Sequence, residues 1–572
     1  MISKGPLMAS NFARVGVVMA TKDRYIAYAR EAVLQSGLCW DLLDESALRD
    51  LRTYDCIVLM GEGRLGLAER TLLLRWVEEG GRLVCVGGPW GVESELEVVP
   101  HEARYPARSR LHPLEEGRTL WPLEAGSLPV FGGTYCYSKG CAGLVTLDDE
   151  FVGVGFRKFG AGKITLVSFD FGQSLCRIQT GHAVDGDGIG PNDGSATFHD
   201  GVPRAEDGIA LDFSLDREVS EEGGTPFFAQ PYAELLKELV FAVIIRDATE
   251  TGKAIAMLSP WPEESEGCAV LTVECTEFDA DQVFALKQVM DHSAVPACWL
   301  VAPPGYALDV FRMIRRWDDE VGLLFSPGGP GGWTGERMRS QANIILRSAA
   351  QQALTAASTL DGQARGRTLF IEMCAESGPR LNLSRGGRQL GTTGFPFGSC
   401  RPFLVPVGST ALVYDQPTHF FLDSPRLSVS TMHAVVRQVA LRNGCFVASL
   451  SSQYPLDHRG VLTLRQIFML ARQYNLAWRL PHQIVQFERA RRHVQVNYRG
   501  GALMELTSDH GIQGLTVLVG AQGMVQPLAD GVRGNPRRVR RYGIDFQSMA
   551  IDLAARRPQM IGLGLDLGER AA

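Results

Sequence analysis

The repeated alternation of short apolar runs with amphipathic stretches is the feature that most constrains how this chain folds. The first 90 residues contain three such runs, ARVGVVMA (13–20), YDCIVLM (54–60) and GRLVCVG (81–87), separated by helix-like segments at 25–36 and 68–79. The runs are apolar without interruption, which is typical of strands covered on both faces in a parallel sheet. We therefore expect an N-terminal α/β domain built on a parallel sheet.

A second series of such alternations begins at Cys268 and continues to about residue 480. Its roughly seven βα repeats favour a closed or nearly closed (β/α)7-type parallel barrel over an open sheet. After Arg479, the runs HVQVNY, ALMELTS and LTVLVG alternate apolar and polar residues between glycine-containing turns, which predicts a small antiparallel β domain.

The predicted fold class is thus α/β, and the chain divides into four segments. These are an α/β domain (1–176), a linker region with a long loop and a helix (177–258), the barrel (259–480) and a β-rich C-terminal domain (481–572).

Composition excludes several classes of function. With 57 Lys and Arg against 64 Asp and Glu, the net charge is -7, which argues against nucleic-acid binding. No apolar run reaches the roughly 18–20 residues that cross a bilayer, and the N-terminus lacks a secretory leader pattern. The 12 cysteines are scattered without a CxxC pair and the 11 histidines show no HExxH spacing. We expect a cytoplasmic protein with free thiols, no metal and no cofactor.

The segment from Cys268 resembles the polysaccharide deacetylases of carbohydrate esterase family 4. Its opening, CAVLTVECTEFDADQVFALKQVMDHSAVPACWLVAP, is similar to the first strand, Asp-containing motif, helix and second strand of that family. RRWDDEVGLLFSP, TTGFPFGSCRPFLVP and SSQYPLDHRGVLTLRQIFMLARQYNLAW are similar to three later family segments. The resemblance covers about residues 268–480, and it implies a deacetylase-like barrel that acts in bacterial surface-polysaccharide (exopolysaccharide) metabolism.

The residues that perform the chemistry in that family are replaced here. Active members use a base carboxylate beside a second carboxylate and two histidines, which hold a divalent metal that activates the attacking water. The base position corresponds to Glu274, the metal carboxylate to Cys275 or Thr276, and the histidines to residues of LLFSP (323–327), while the His-Pro pair becomes Tyr454-Pro455. Leucine and phenylalanine offer no lone pair to a cation, so the resemblance implies a pseudoenzyme without metal.

Two interpretations of Glu274 stay open. It follows LTV at a predicted strand end, where barrels of this kind carry functional residues. It is either a remnant of the lost site or the catalytic residue of an altered, metal-independent carbohydrate hydrolase or deacetylase. Glu277, Asp279 and Asp281 lead into a helix, so we assign them to its N-terminal end, where negative charge is stabilised.

The N-terminal domain resembles the class I glutamine-amidotransferase-like fold, on the segments RVGVVMA, YDCIVLMGEGRL, EEGGRLVCVGG and GAGKITLVSFD. The resemblance implies a flavodoxin-like sheet, and active members hold a cysteine in a Gly-x-Cys-x-Gly elbow. Cys85 has Gly87 after it but Leu83 before it, so we predict a buried strand thiol. The turn GEGRLG (61–66) lacks GxGxxG and GK[ST], so we predict a plain βα turn rather than a phosphate cradle.

These observations leave two functional hypotheses. The first is a degenerate deacetylase-like protein that binds a polysaccharide or oligosaccharide, or organises protein partners of a polysaccharide assembly system, as a monomer or a homo-oligomer. Sugar rings stack on aromatic faces, so the candidate substrate-binding residues are Trp299, Trp333 and Phe397, with His419. The second is an active enzyme with Glu274 as its catalytic residue. The arginine clusters ERARRH and GNPRRVRRYG predict a solvated basic surface or a face for acidic groups.

Overall fold

The computed structural model describes most of the chain and packs as two compact units. The described residues are 11–100, 108–132, 136–138, 140–148, 150–181, 193–195, 210–220, 225–408, 412–424, 427–499, 501–520, 526–529 and 532–564. The first unit comprises Met1–Cys176, Leu235–Glu264 and Phe487–Ala572, and the second comprises Arg177–Glu234 and Ser265–Gln486. Much of the polar loop predicted within 177–225 lies outside the described residues.

The strands are β1 (Val15–Met19), β2 (Asp41–Leu43), β3 (Cys56–Met60), β4 (Arg82–Val86), β5 (Val98–Pro100), β6 (Arg108–Pro113), β7 (Leu128–Phe131), β8 (Cys136–Ser138), β9 (Ala142–Leu147), β10 (Phe151–Phe159), β11 (Gly162–Val167), β12 (Glu218–Val219), β13 (Pro226–Phe227), β14 (Ile255–Leu258), β15 (Gly267–Cys275), β16 (Cys298–Val301), β17 (Glu320–Phe325), β18 (Ala356–Thr359), β19 (Leu381–Asn382), β20 (Phe403–Leu404), β21 (Tyr414–Asp415), β22 (Phe420–Phe421), β23 (Cys445–Ser451), β24 (Leu476–Trp478), β25 (Gln495–Tyr498), β26 (Leu503–Thr507), β27 (Ile512–Gly520), β28 (Gln526–Ala529), β29 (Val532–Arg541), β30 (Ile544–Leu553) and β31 (Gln559–Gly564).

The α-helices are α1 (Ile26–Ser36), α2 (Leu67–Glu78), α3 (Glu93–Leu96), α4 (Phe171–Thr180), α5 (Tyr232–Thr249), α6 (Ala280–Asp291), α7 (Leu308–Arg316), α8 (Gly335–Ala349), α9 (Leu369–Ser377), α10 (Val429–Leu441), α11 (His458–Gln473) and α12 (Pro481–Arg492). Within the ranges described, none of these helices is both long enough and apolar enough to span a bilayer.

The first unit contains a nine-stranded sheet in the order β2-β1-β3-β4-β11-β10-β9-β6-β7. Its strands from β2 to β11 pair in parallel, and the remaining pairs are antiparallel. Residues 57–60 and 83–86 are wholly buried, because helices cover both faces of the central strands. The predicted parallel-rich sheet is thus confirmed, and Cys85 lies inside β4 with no exposed surface.

The C-terminal strands of the first unit form two four-stranded antiparallel sheets, β14-β27-β30-β29 and β25-β26-β31-β28. Strand β14, which the sequence placed in a linker, pairs with β27 from Ile255↔Gly520 to Leu258↔Val517. The four-segment division therefore differs from the two units of the structure. A run of apolar residues reveals a strand but not the distant strand that completes its hydrogen bonds.

Part of the predicted basic surface is buried within the first unit. Arg491 and Arg492 both bind Glu488, and Arg492 also binds Glu31, at 2.7 Å in each case. The side chains of the two arginines are 1% and 9% exposed. Burial by itself raises the pKa of Glu488, but the two guanidinium groups outweigh this effect and lower the pKa to about 2. Glu488, Arg491 and Arg492 therefore belong to an internal ion-pair network, whereas Arg489 and His493 of the ERARRH cluster are exposed.

The second unit is built on a half-barrel sheet, in the order β20-β21-β19-β18-β17-β16-β15-β23-β22 with β24 also paired to β15. All pairs are parallel except β20 with β21. Among the described residues, the terminal strands β20 and β22 do not pair with each other, so the sheet follows an open path. All nine residues of β15 are buried, and the strand pairs with β16, β23 and β24.

Candidate functional site

The carboxyl ends of the parallel strands in the second unit bring several polar side chains to one edge of the half-barrel sheet. Glu274 is the penultimate residue of β15 and is 6% exposed. Its strand lies between β16 and β23, so neighbouring strand ends surround the carboxylate. A buried carboxylate is costly unless it is paired, and the partners of Glu274 therefore determine what this site can do.

Glu274 forms a bidentate ion pair with Arg388. The guanidinium donates from Nη1 to Oε2 at 2.7 Å and from Nη2 to Oε1. Ser449 on β23 donates a third hydrogen bond to Oε1 at 3.2 Å. The guanidinium carbon lies 4.8 Å from the centroid of the Phe421 ring. Both oxygens of Glu274 are thus engaged by donors, and three of about four acceptor positions of a carboxylate are occupied.

The segment SRGGR (384–388) after β19 delivers two arginines to this edge. Arg385 pairs with Asp415 at the end of β21, with 3.1 Å between Nε and Oδ2. A side chain at Gly386 is excluded, because its φ is +143° and a Cβ would lie 2.2 Å from the Thr418 carbonyl oxygen. The glycines therefore allow the close backbone approach that lets Arg385 and Arg388, on either side of them, pair with carboxylates at separate strand ends.

Asp415 is the second buried carboxylate at this edge. Besides the Arg385 ion pair, it accepts a hydrogen bond from Asn382 on the neighbouring strand β19 at 2.8 Å. Burial raises the pKa of Asp415 to about 6, against the opposing effect of Arg385. The edge thus contains two carboxylate–arginine pairs, one at β15 and one at β21.

The residues that the sequence resemblance assigns to the metal positions do not fit a divalent cation. Cys275 is wholly buried, and burial raises the pKa of its thiol to about 12. Leu323, Leu324 and Phe325 have no exposed surface, and the Tyr454 hydroxyl donates to the Gly460 carbonyl at 3.1 Å. Throughout the described part of the chain, no three His, Cys, Asp or Glu side chains are grouped so that they could hold a metal ion.

Trp299 and Phe397 lie within the packed interior of the second unit. Trp299 is wholly buried, and its indole N–H donates at 3.0 Å to Asp319, which directly precedes β17. Its polar end therefore faces the amino ends of the strands, away from Glu274. Phe397 is 3% exposed and lies 5.3 Å below the Arg385 guanidinium. In this arrangement the two aromatic faces are covered by protein.

Trp333 and His419 also have protein partners. Trp333 is half-buried and packs edge-on against Phe325, with 5.9 Å between ring centroids. His419 has no exposed surface. Its Nδ1 atom accepts a hydrogen bond from the Val447 N–H at 3.1 Å, and its Nε2 atom lies 3.2 Å from the Ser399 carbonyl oxygen. Burial lowers the pKa of His419 to about 4, and the contacts require the neutral ring protonated at Nε2. The binding roles assigned to these four residues remain predictions.

Among the acidic residues after β15, Asp279 has the role that its position predicted. Asp279 caps α6 by accepting the Asp281 N–H at 2.9 Å. Asp423, by contrast, joins the strand ends, since it accepts the Ser451 N–H at 2.8 Å and the Ser451 hydroxyl at 2.5 Å.

Sequence reasoning missed Arg388, which is the dominant partner of Glu274. A signal was present, because SRGGR follows a short strand and pairs two flexible glycines with two guanidinium groups. Glu274 and Arg388 are separated by 114 positions in the sequence, so no local spacing reveals their contact.

Comparisons with known proteins gave structural similarities of low identity. No family model matches the chain, and no curated protein does. The carbohydrate deacetylase Agd3 is 8% identical over 97% of this chain and 99% of its own, with a TM-score of 0.38. A candidate polysaccharide deacetylase from Mycobacterium smegmatis is 14% identical over 40% of this chain and 92% of its own, with a TM-score of 0.30. A β-galactosidase from Rahnella sp. R3 is 16% identical over 27% of this chain, with a TM-score of 0.24, and the match spans only 28% of that enzyme.

Proposed function

We propose that the second unit is a deacetylase-like domain that has lost metal-dependent catalysis and binds glycan in bacterial surface-polysaccharide metabolism. The observation that carries this proposal is the buried bidentate ion pair between Glu274 and Arg388. The glycan part rests on the sequence resemblance described above. Organisation of partner proteins and self-association belong to the same proposal, and size-exclusion chromatography with light scattering tests the latter.

The ion pair supports the loss of metal chemistry through its charge and its geometry. Arginine carries a permanent positive charge and offers donors only, so it neutralises Glu274 without providing a ligand for a cation. A divalent metal at Glu274 would have to displace a guanidinium that is 15% exposed. The new contact would lack the two imidazole ligands that the family uses.

The alternative, a metal-independent enzyme with Glu274 as acid or base, is disfavoured by the same contacts. A general base needs a free lone pair directed at the substrate proton, and a general acid needs a bound proton. Hydrogen bonds from Arg388 and Ser449 occupy both oxygens of Glu274. Glu274 would have to leave both partners before it could react.

Metal titration together with an activity assay tests the proposal. The full chain is titrated calorimetrically with Zn²⁺, Co²⁺ and Ni²⁺, and acetate release from N-acetylated chito-oligosaccharides is measured with and without each ion. We expect no stoichiometric site that depends on Glu274 and no acetate release. Glu274→Gln is the matched control, because adventitious surface sites persist in it. Metal binding or activity that disappears in Glu274→Gln would overturn the loss of catalysis.

Glycan binding is tested separately on an array of acidic and neutral bacterial polysaccharides. We expect binding that survives Glu274→Gln and weakens in Trp333→Ala, since Trp333 is the candidate aromatic residue that keeps some exposure. The absence of any bound glycan would refute the glycan assignment while leaving the metal result standing.

A further inference from the structure

A polar cleft of about 760 Å³ lies within the first unit, and all the residues that line it precede Glu274 by about 100 positions or more in the sequence. Its volume is within the range of roughly 300–1,000 Å³ typical of small-molecule sites. Its walls come from the loops after β1 and β3 and from the start of α4, with Glu45 at one side. The cleft therefore opens at the carboxyl ends of the parallel strands.

The strand order makes this position a topological switch point. From β1 the chain passes through α1 to β2 on one side, whereas from β3 it passes through α2 to β4 on the other side. The loops that leave β1 and β3 therefore diverge and leave a crevice between them. Open α/β sheets bind their ligands in this crevice.

The loops that form the cleft are held in place before any ligand binds. Asp23 accepts the Tyr25 N–H at 2.7 Å within its own loop and the Glu62 N–H at 3.0 Å from the other loop. Trp90 donates to the Gly61 carbonyl at 2.8 Å. Gly61 has φ of +90° and a Cβ there would lie 2.6 Å from Asp23 Oδ2. The turn GEGRLG is therefore a rigid wall of the cleft, which its plain βα pattern did not reveal.

The cleft is lined by three cationic and four carboxylate side chains, a mixture that suits a ligand with both an anionic group and hydroxyl groups. Lys22, Arg24 and Arg64 line it and are exposed, and none of the three has a carboxylate partner within ion-pair distance among the described residues. Helices α1 and α4 begin at Ile26 and Phe171, directly after the lining residues Tyr25 and Asp170, and the N-terminal end of a helix carries partial positive charge. The Arg24 guanidinium lies over the Tyr25 ring, 5.6 Å from its centroid, and that contact leaves its N–H donors available. Three cations without a carboxylate partner at one cleft are suited to a phosphate group.

The acidic and amide groups of the cleft provide acceptors for hydroxyls. Asp23 and Asp170 are committed in part to backbone N–H groups, the latter to that of Gln173 at 2.8 Å. Glu45, Glu62 and the Gln173 amide also line the cleft. Carboxylates and amides accept hydrogen bonds from hydroxyl groups, so the site combines a cationic part with a part that suits a polyol.

We propose that this cleft binds a small sugar phosphate. The cations at 22, 24 and 64 hold the phosphate, and the acceptors at 45, 62 and 173 hold sugar hydroxyls. The ligand is thus chemically distinct from the polymeric glycan assigned to the second unit, and the two sites are independent.

Calorimetric titration of the full chain tests the proposal. The probes are α-D-glucose 1-phosphate and D-glucosamine 6-phosphate, and the separate components D-glucose, D-glucosamine and inorganic phosphate serve as comparisons. We expect saturable binding of a sugar phosphate and weaker binding of each separate component. Arg64→Ala should weaken binding about tenfold, since a hydrogen bond to a charged group is lost. Thr21→Trp, at an exposed lining position, should abolish binding by filling the cleft.

Two controls separate this site from general charge effects and from the second unit. Arg52→Ala removes an exposed arginine of the first unit whose partner is Asp50, and Glu274→Gln alters only the other site. Both variants should bind the sugar phosphate with the same affinity as the unsubstituted protein. Absence of saturable binding by either probe, or equal affinity in Arg64→Ala, Thr21→Trp and Arg52→Ala, would overturn the proposal.

Discussion

Removal of the Arg388 guanidinium would leave Glu274 as a buried charge, with the Ser449 hydroxyl as its remaining side-chain donor among the described residues. Loss of one partner from a buried ion pair costs about 3–5 kcal/mol. The side chains of Arg388 and Glu274 are 15% and 8% exposed, so water reaches the pair to a small extent. We therefore expect Arg388→Met to reduce the free energy of unfolding by about 3 kcal/mol, at the lower end of that range.

Urea denaturation measures this change. With a slope of roughly 1–3 kcal/mol per molar urea, the midpoint should fall by about 1 M or more. Because the chain has two compact units, a single unfolding transition is not assured. Hydrogen exchange of the β15 and β23 amides assigns the loss to the second unit, since those strands adjoin Glu274.

Two further variants make the reasoning refutable. Arg312→Met, at an exposed position on α7, controls for the general effect of replacing an arginine and should change stability by less than about 0.5 kcal/mol. Glu274→Leu combined with Arg388→Met replaces the pair by apolar groups and should recover most of the loss. If Arg388→Met matches Arg312→Met, or if the double variant is as unstable as the sum of the single variants, Arg388 does not compensate a buried Glu274.

Three other predictions concern the pH dependence of stability, the reactivity of one cysteine and the contribution of one hydrogen bond. Burial raises the pKa of Asp415 from 3.8 to about 6, so between these pH values the folded state binds more protons than the unfolded state and the stability of the protein falls as pH rises. Burial lowers the pKa of His419 from 6.5 to about 4, so between these pH values the unfolded state binds more protons and the stability of the protein falls as pH falls. Asp415→Asn should therefore make the protein more acid-sensitive and His419→Gln less so, measured by urea unfolding between about pH 4 and 7, and unchanged pH profiles in both variants would contradict these assignments. Cys85, with no exposed surface, should react with iodoacetamide only after denaturation, and alkylation of the native protein detected by mass spectrometry would instead indicate an accessible nucleophile. Ser449→Ala should cost about 1 kcal/mol, as for one hydrogen bond to a carboxylate that keeps its guanidinium, and a cost equal to that of Arg388→Met would show that Ser449 is the main partner.

Sequence reasoning succeeded where the signal was local. The uninterrupted apolar runs at 54–60 and 81–87 identified strands buried on both faces, and the order of helices and strands identified a parallel-rich sheet. The Asp279 cap of α6 was likewise readable, because a cap and the N–H that it accepts are two residues apart. Each of these features depends on residues within one or two turns of the chain.

The composition of the site depended on contacts that sequence patterns do not encode. Glu274 was found from its place at a strand end, but its state is determined by Arg388, 114 residues later, and by Ser449 on a neighbouring strand. Trp299 was a candidate for sugar stacking, yet its indole N–H binds Asp319 in the interior. Aromatic residues look alike in sequence whether they pack in a core or face solvent, since both environments accept a large apolar ring.

By itself, the sequence determined that this chain forms apolar strands and amphipathic helices. The family resemblance also led us to expect that residues such as Leu323 and Phe325 stand where a deacetylase has its metal ligands. Only the tertiary structure decided which strands share a sheet, as β14 does with β27, and which charges meet, as Glu274 does with Arg388. The reason is physical: burial of apolar residues depends on local periodicity, whereas an ion pair needs two side chains within a few ångströms, and only the folded path of the chain brings them together.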